Sequence, residues 1–275
     1  NAWVSEPLAP GAYRANLVAI EFSSGASLFS YLPKTYNQKE NGVLEHVPDL
    51  DGYLLVTRTE AGWQLKLVSS TLTDGQLCDG FAMSAARPLL DWSENKNCAT
   101  IWNAYTTNGV AKWCYDGYYR FTPSNYVPTG ENYYYRCVAS YLIRLMAEQI
   151  GVCEAAPNLT ICMLDVLVQE QNAYGFWPTQ PESEWLSGDF QIADGFYDTR
   201  FNTDLIEIFV RANNDLGGGL YLDTVKRYAA FYQALAEANH AETENGGWLV
   251  ADYWHPQLHD LTHTSLNHLA AECLA

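Results

Sequence analysis

The stretch Tyr197–Asp204, YDTRFNTD, is the segment from which the fold of this chain is best read. It follows a polar loop, carries residue types that commonly cap helices, and leads into a predicted helix over Thr203–Asn213. The same mixture of Asn, Thr and large polar or aromatic groups recurs in PTGENYYYR (128–136) and LTHTSLNH (261–268). Ordinary helix capping explains one such residue at each start, but each start carries three to five of them. We therefore predict that the three starts share a further role.

The three polar starts belong to alternate members of a series of five predicted helices. The other two helices have apolar starts, and Asn132, Asn202 and Asn267 are separated by 70 and 65 residues. This alternation predicts αα-hairpins packed side by side, with every other helix pointing its N-terminus into one cleft. The predicted helices are Tyr134–Ile150, Leu159–Glu170, Thr203–Asn213, Tyr221–Asn239 and one beginning near Thr264.

The chain changes character near residue 128. Before it, short β-rich runs alternate with turn clusters, and Gly52–Ser70 reads as a hairpin with a Gly-containing turn. We therefore expect an α+β fold with a β-rich and aromatic-rich region over 1–128 and an αα-hairpin, partly toroidal domain over 129–275.

Composition and charge limit the partners. Of 275 residues, 48% are hydrophobic and 17% charged, which supports a folded core, and the net charge is −17. Such an acidic chain repels nucleic acid and anionic membrane surfaces, and no apolar run reaches the ~18 residues of a membrane span. We expect a polysaccharide or oligosaccharide substrate, no nucleic acid and no membrane span.

The cysteines and the chain start favour a secreted or extracellular protein. Chain order suggests the local pairs Cys78–Cys98, Cys114–Cys137 and Cys153–Cys162, although sequence does not fix the connectivity and free thiols remain the alternative. Cys273 is then left over and is a candidate point of self-association. The sequon Asn158-Leu-Thr160 and a start at Asn1 without Met are expected of an exported, processed chain.

Four of the six histidines fall within the fourteen residues His255–His268, which favours proton transfer, metal binding or sugar binding. His255, His259 and His263 recur at intervals of four, which would align them on a helix. Pro256 and the loop character of 255–261 argue against one continuous helix, and no HExxH motif is present. We expect no metal and no other cofactor.

The alternating helix starts over Thr129–Ala275 resemble those of α/α-toroid enzymes that act on polysaccharides. These include glycosidases, uronic-acid lyases and the C-terminal domain of glucuronyl C5-epimerases. The pair Asn267-His268 is similar to the Asn-His found in some alginate and related lyases. The resemblance implies a toroidal helical domain and a lyase or epimerase that acts on a uronic-acid-containing polysaccharide.

Removal of the C5 proton of a uronic acid needs a group that neutralises the carboxylate and a base of moderate pKa. Arg200 and Asn267 are predicted to hold the carboxylate, with Asn202 as a further candidate. His263 or His268 is predicted to act as base, and Tyr134 to donate to the leaving oxygen. In the structural alternative, Arg200 pairs with Asp198 or Asp204, and the histidines bond loop carbonyls. Predicted substrate-binding residues are Asn132, Tyr133, Arg136, Trp185, Asp198, Asn202 and Asp204.

Two other functions stay open. Glycoside hydrolysis needs two carboxyl groups ~5–9 Å apart, and the chain offers Glu184, Asp189, Asp194, Asp198 and Asp204. Recognition without catalysis is the other, since aromatic residues are dense from Trp102 to Tyr141 and sugar rings stack on such faces.

Overall fold

A computed structural model describes residues 7–40, 42–90, 99, 101–103, 118–121, 133–138, 140–180, 190 and 192–274. Strands dominate the N-terminal half and helices the C-terminal half, so the α+β class predicted from the sequence is confirmed. Among the described residues, no helix combines the length and the apolar character needed to cross a membrane.

The strands form two sheets in the N-terminal half and two short ribbons in the C-terminal half. The first nine strands are β1 (Gly11–Tyr13), β2 (Leu17–Glu21), β3 (Ser27–Gln38), β4 (Leu44–His46), β5 (Tyr53–Thr59), β6 (Gly62–Val68), β7 (Gln76–Ala85), β8 (Tyr118–Phe121) and β9 (Tyr133–Val138). The last four are β10 (Tyr197–Asp198), β11 (His240–Glu242), β12 (Trp248–Val250) and β13 (Tyr253–Trp254).

The larger sheet is built around the long strand β3. On one side β3 pairs with β7, and on the other it pairs first with β2 and then with β4. The sheet continues from β4 through β9 to β8, and all these pairs are antiparallel. The smaller sheet has the order β1-β5-β6, and its β5–β6 pair confirms the predicted hairpin.

The described helices are α1 (Ser140–Ala147), α2 (Ala156–Glu170), α3 (Thr199–Leu216), α4 (Leu222–Ala238) and α5 (Leu266–Leu274). Helix α3 lies at the centre of this group, because it packs against α1, α2, α4 and α5 and also against strand β9. Its amphipathic pattern explains this position, since one face buries Leu205, Ile208, Phe209 and Ala212.

The prediction of a helix from Tyr134 is wrong for its first turns. Residues 133–138 form strand β9, which joins β4 and β8, and the helix begins only at Ser140. The sequence YYYRCV is rich in aromatic residues, which favour a half-buried pleated surface, and the ring of Tyr134 packs edge-on against Tyr36 at 5.9 Å. The change from strands to helices therefore comes after Val138.

One hydrophobic core joins the sheet to the helices. Phe29, Tyr36 and Leu44 of the sheet belong to the same buried cluster as Leu142 of α1 and Phe209 of α3. A second cluster, with Leu32 and Leu54, fills the space beside the smaller sheet. The third is small and consists of Ile192, Phe196 and Tyr253, packed under the loops that precede α3 and α5.

The structure shows no disulfide bond among its five described cysteines, namely Cys78, Cys137, Cys153, Cys162 and Cys273. The thiol of Cys153 donates to the carbonyl of Leu89 at 3.2 Å. Cys98 and Cys114 lie outside the described residues, and the pairings suggested by chain order stay predictions.

Candidate functional site

Two of the three polar helix starts lie together in the structure. Strand β10, just before α3, pairs with β13, so that Asp198 lies opposite Tyr253. The N–H and hydroxyl of Thr199 both donate to the carbonyl of Asp252, at 3.0 and 2.6 Å. The N–H of Asp252 in turn donates to the carbonyl of His263 at 3.0 Å. The segments 197–204, 250–254 and 261–268 therefore form one connected unit.

The segment before α5 is held in register by hydroxyl groups. The hydroxyl of Thr262 accepts from the N–H of Tyr253 at 3.1 Å and donates to its carbonyl at 3.0 Å. The hydroxyl of Thr264 donates to the carbonyl of Val250 at 2.6 Å. Because these bonds lie on both sides of His263, its backbone is fixed relative to Asp252.

A buried carboxylate lies at the centre of this unit. Asp252 is 0% exposed, and the N–H of Ser265 donates to both of its oxygens. Nε2 of His263 lies 3.5 Å from Oδ2, and Nδ1 of His268 lies 3.7 Å from Oδ1. A buried carboxylate needs compensating donors and charges. The N–H of Ser265 supplies the donor here, and the two imidazoles lie close enough to act on the carboxylate electrostatically when protonated.

The two histidines differ in burial although they face the same carboxylate. The side chain of His263 is 39% exposed and that of His268 is 9% exposed. Each ring contacts the ring of Tyr253 at a centroid distance of 5.5 Å. Burial lowers the pKa of His268 below its usual range, and Arg200 and His263 lower it further, against the opposite effect of Asp252. Burial therefore favours the neutral form of His268.

Arg200 brings a positive charge to the site from the first turn of α3. Its Nε donates to Asp204 at 3.1 Å, as the structural alternative predicts. Within the described part of the chain this ion pair engages Nε only, and the side chain is 43% exposed. The terminal nitrogens therefore keep their capacity to bind a carboxylate, since an Arg guanidinium carries five donors.

A second arginine shares the carboxylate of Asp204. Nη2 of Arg144, on α1, lies 3.6 Å from Asp204, and the same guanidinium makes a two-pronged bond to Glu207 at 3.1 and 2.8 Å. The bond to Glu207 is the main reason why the pKa of Arg144 is raised. This network ties α1 to α3 beside Arg200.

Asp198 and Asn202 serve the fold at the start of α3. Asp198 caps the helix, because its Oδ1 accepts from the N–H of Phe201 at 3.1 Å. Asn202 is 0% exposed, and its amide accepts from the N–H of Trp177 and donates to the carbonyls of Trp177 and Asp198. All of these contacts are to the backbone, so the amide of Asn202 is directed into the protein and not towards a cleft.

The described part of the third predicted start, residues 133–136, lies in strand β9 of the larger sheet. Tyr134 is buried in β9 and does not stand at a helix start, which corrects the basis on which it was predicted to donate a proton. Arg136, on the same strand, pairs with Glu170 at 3.0 Å. Tyr133 lies in β9 opposite Glu45. Asn132, Trp185, Glu184 and Asp189 lie outside the described residues.

Asn267 lies in the first turn of α5 with its side chain exposed, next to buried His268. His255 and His259 lie in a turn and loop and not on a helix, as the sequence predicted. Nδ1 of His255 accepts from the N–H of Gln257 at 3.2 Å. Among the described residues, no three His, Cys, Asp or Glu side chains are arranged to hold a metal ion.

Sequence reasoning missed Asp252, which connects the two histidines. Its neighbours in VADYW give no catalytic motif, and its importance arises from contacts with segments about 13 residues later and 53 residues earlier. The polar run Thr262–Ser265 was the available signal, since hydroxyl and N–H groups that become buried need hydrogen-bond partners.

Comparisons with protein-family models, with curated proteins and with solved structures give no match.

Proposed function

We propose that this chain is a carbohydrate-active enzyme that removes the C5 proton of a uronic-acid residue in a polysaccharide. It is then a lyase or an epimerase, and we propose that it works outside the cell that makes it. The single observation that carries the proposal is the pair His263 and His268 on the buried carboxylate of Asp252, with Arg200 beside them.

The chemistry explains why these groups suit the reaction. The C5 proton lies next to a carboxylate and is weakly acidic, because its removal places a second negative charge on that carboxylate. A guanidinium that binds the carboxylate stabilises this charge, and Arg200 supplies one close to His268. A neutral imidazole is a base of suitable strength near pH 7, and burial keeps His268 neutral.

Two arginines supply positive charge that an anionic sugar could use at this place. The chain carries a net charge of −17, so an acidic polysaccharide is attracted only where cations are concentrated. Arg200 and Arg144 lie together along α1 and α3, where they share Asp204, and Arg144 also pairs with Glu207. A uronate that binds Arg200 would compete with Asp204 for that guanidinium.

The proposal includes a partial α/α toroid for helices α1–α5. The support is that α3 packs against α1 and α5, the alternate members of the series, while α2 and α4 follow them as hairpin partners. In such an arrangement the starts of α3 and α5 face one concavity, and the connected unit around Asp252 would form one of its walls.

Glycoside hydrolysis has less support. Asp198 is engaged as a helix cap, and Asp204 is paired with Arg200 and Arg144. A hydrolytic pair needs one carboxyl group free to donate a proton and another to act on the opposite side of the bond. These two carboxylates have other partners in the described part of the chain.

The test is a panel of acidic and neutral polysaccharides incubated with the protein in D2O. Ultraviolet absorbance detects an unsaturated uronate, NMR detects deuterium at C5, and a reducing-end assay detects hydrolysis. We expect one of the first two signals on an acidic polysaccharide, and its loss in His268→Gln. Reducing ends without unsaturation would favour a hydrolase, and binding with no signal would favour a non-catalytic glycan-binding protein. His259→Gln, in an exposed loop, is the matched control.

A further inference from the structure

One carboxylate is shared by two imidazoles of different exposure. His263 faces Oδ2 of Asp252 and His268 faces Oδ1, at 3.5 and 3.7 Å. A single negative charge compensates one imidazolium and not two, so a second proton on the pair meets the repulsion of the first. The geometry therefore couples the protonation of the two rings.

We propose that Asp252 makes His263 and His268 a one-proton acid–base pair, in which neutral His268 takes the C5 proton and protonated His263 gives a proton to the leaving oxygen. This inference rests on the uronate function proposed above, because it assigns the proton steps of that reaction. It assigns to His263 the donor role that was predicted for Tyr134.

Burial decides which ring holds the resting proton. The charged form of a buried ring loses hydration, whereas a ring in contact with water keeps it. His268 is 9% exposed and His263 is 39% exposed, so burial disfavours the charged form of His268 more than that of His263. The other charged groups that act on His268 are Arg200, which disfavours a positive charge there, and Asp204, which favours it.

His263 and His268 together account for both proton transfers of an elimination. His268 takes the C5 proton, and the electrons of the C–H bond form the double bond between C4 and C5. The C4–O bond breaks, its electrons go to the leaving oxygen, and that oxygen takes the proton of His263. The pair holds one proton before and after, so the net charge around buried Asp252 is unchanged through the step.

The common position of the rings favours elimination over epimerisation. Both rings contact the carboxylate of Asp252 and the ring of Tyr253, at 5.5 Å in each case, and therefore lie on one wall of the site. Epimerisation needs a donor on the face of C5 opposite the base. A syn elimination needs the base and the donor on the same face of the sugar, which one wall of the site can supply. We therefore infer a syn-acting lyase.

The coupling is tested without any substrate. NMR follows the ring protons of both histidines during a pH titration of the wild type, His263→Gln and Asp252→Asn. We expect the midpoint of His268 to rise in His263→Gln, because a like charge is removed. In Asp252→Asn the midpoint of His268 should fall, since the counter-ion that raises it is lost. Independent titration of the two rings, with His268 unmoved in His263→Gln, would overturn the pairing.

The roles are tested with an acidic polysaccharide that the wild type converts. His263→Gln should lose the alkaline limb of the pH profile of kcat, where the donor deprotonates, while His268→Gln should lose activity at every pH. The donor role would be overturned if His263→Gln still formed unsaturated product and its pH profile of kcat kept both the acidic and the alkaline limb. If the two rings titrate as a coupled pair but no uronate is converted, the proposed function and the assigned proton steps are refuted. The coupling of the two histidines through Asp252 is then still supported. If Asp252→Asn does not fold, His263→Gln, at an exposed ring, still decides the pairing.

Discussion

The backbone N–H of Ser265 donates to both carboxylate oxygens of Asp252, at 3.1 Å to Oδ1 and 2.9 Å to Oδ2. One donor thus fixes the plane of a carboxylate that has no contact with solvent, and each oxygen also faces one imidazole. The carboxylate links the segment before α5 to the segment that pairs with the start of α3. Loss of this carboxylate should therefore lower the stability of the protein and change the protonation of the two histidines.

Asp252→Ala should destabilise the protein by about 2–4 kcal/mol, because the N–H of Ser265 loses its partner and the histidines lose their counter-ion. Asp252→Asn keeps an acceptor oxygen for that N–H and should cost less. Urea unfolding followed by circular dichroism measures both. Equal stability of Asp252→Ala and wild type would show that the carboxylate does not hold these segments together.

Asn202→Ala should cost about 2–4 kcal/mol of unfolding free energy, since it removes three hydrogen bonds to buried backbone groups. Asn267→Ala changes an exposed amide and should cost less than about 0.5 kcal/mol, while reducing conversion of an acidic polysaccharide. The two variants are matched in chemistry and differ in burial. Comparable losses of stability would contradict the assignment of Asn202 to the fold.

Stability should fall as the pH drops through the range in which free histidine titrates. The folded-state pKa of His268 lies below that of the unfolded chain, so below about pH 6.5 the unfolded state binds more protons and is favoured. Melting temperatures at pH 7.5 and 5.5 measure the effect, and His268→Gln should show a smaller decrease than wild type. A decrease of the same size in both would mean that another group is responsible.

A separate loss of stability is expected in more acidic solution. The pKa of Asp51 is lowered by its bonds to His46 and Lys34, which outweigh burial, so its contribution is present above about pH 4 and is lost as the pH falls further. Asp51→Asn should remove this acidic step and leave the histidine step in place. Melting curves between pH 5 and pH 2.5 distinguish the two.

Gly175→Ala should destabilise the protein by about 2 kcal/mol or more, because an added Cβ would lie 2.6 Å from the carbonyl oxygen of Arg227. Gly151→Ala is the control: both glycines have a positive φ, but at Gly151 the space around the Cβ is open. The difference between their unfolding free energies isolates the clash from the backbone strain. A difference near zero would show that the loop at 172–176 moves away at little cost.

The sequence predicted the later helices well because their burial follows a simple period. The predicted Leu159–Glu170 ends at the same residue as α2 and begins three residues later, and the predicted Tyr221–Asn239 differs from α4 by one residue at each end. The failure at Tyr134 has a tertiary cause. Residues 133–138 pair with β4 and β8, and this pairing prevails over a helical spacing of apolar residues that continues into α1.

The sequence predicted which segments form the site better than it predicted the contacts of the individual residues. The recurrence of polar helix starts indicated that 197–204 and 261–268 belong together, and they are joined through Asp252. The roles of individual residues depended on burial that the sequence does not encode locally. Asn202 and Asn267 both lie in the first turn of their helices, yet one is enclosed and the other exposed.

The most direct measurement of the central claim is the rate at which wild type and His268→Gln form an unsaturated uronate from an acidic polysaccharide. We predict product with the wild type and with His259→Gln. We predict a loss of about 10²-fold or more in His268→Gln, as expected for a general base, with a melting temperature at pH 7.5 close to that of the wild type. Wild-type activity retained in His268→Gln, or no unsaturated product and no C5 deuterium from any uronate, would contradict the account.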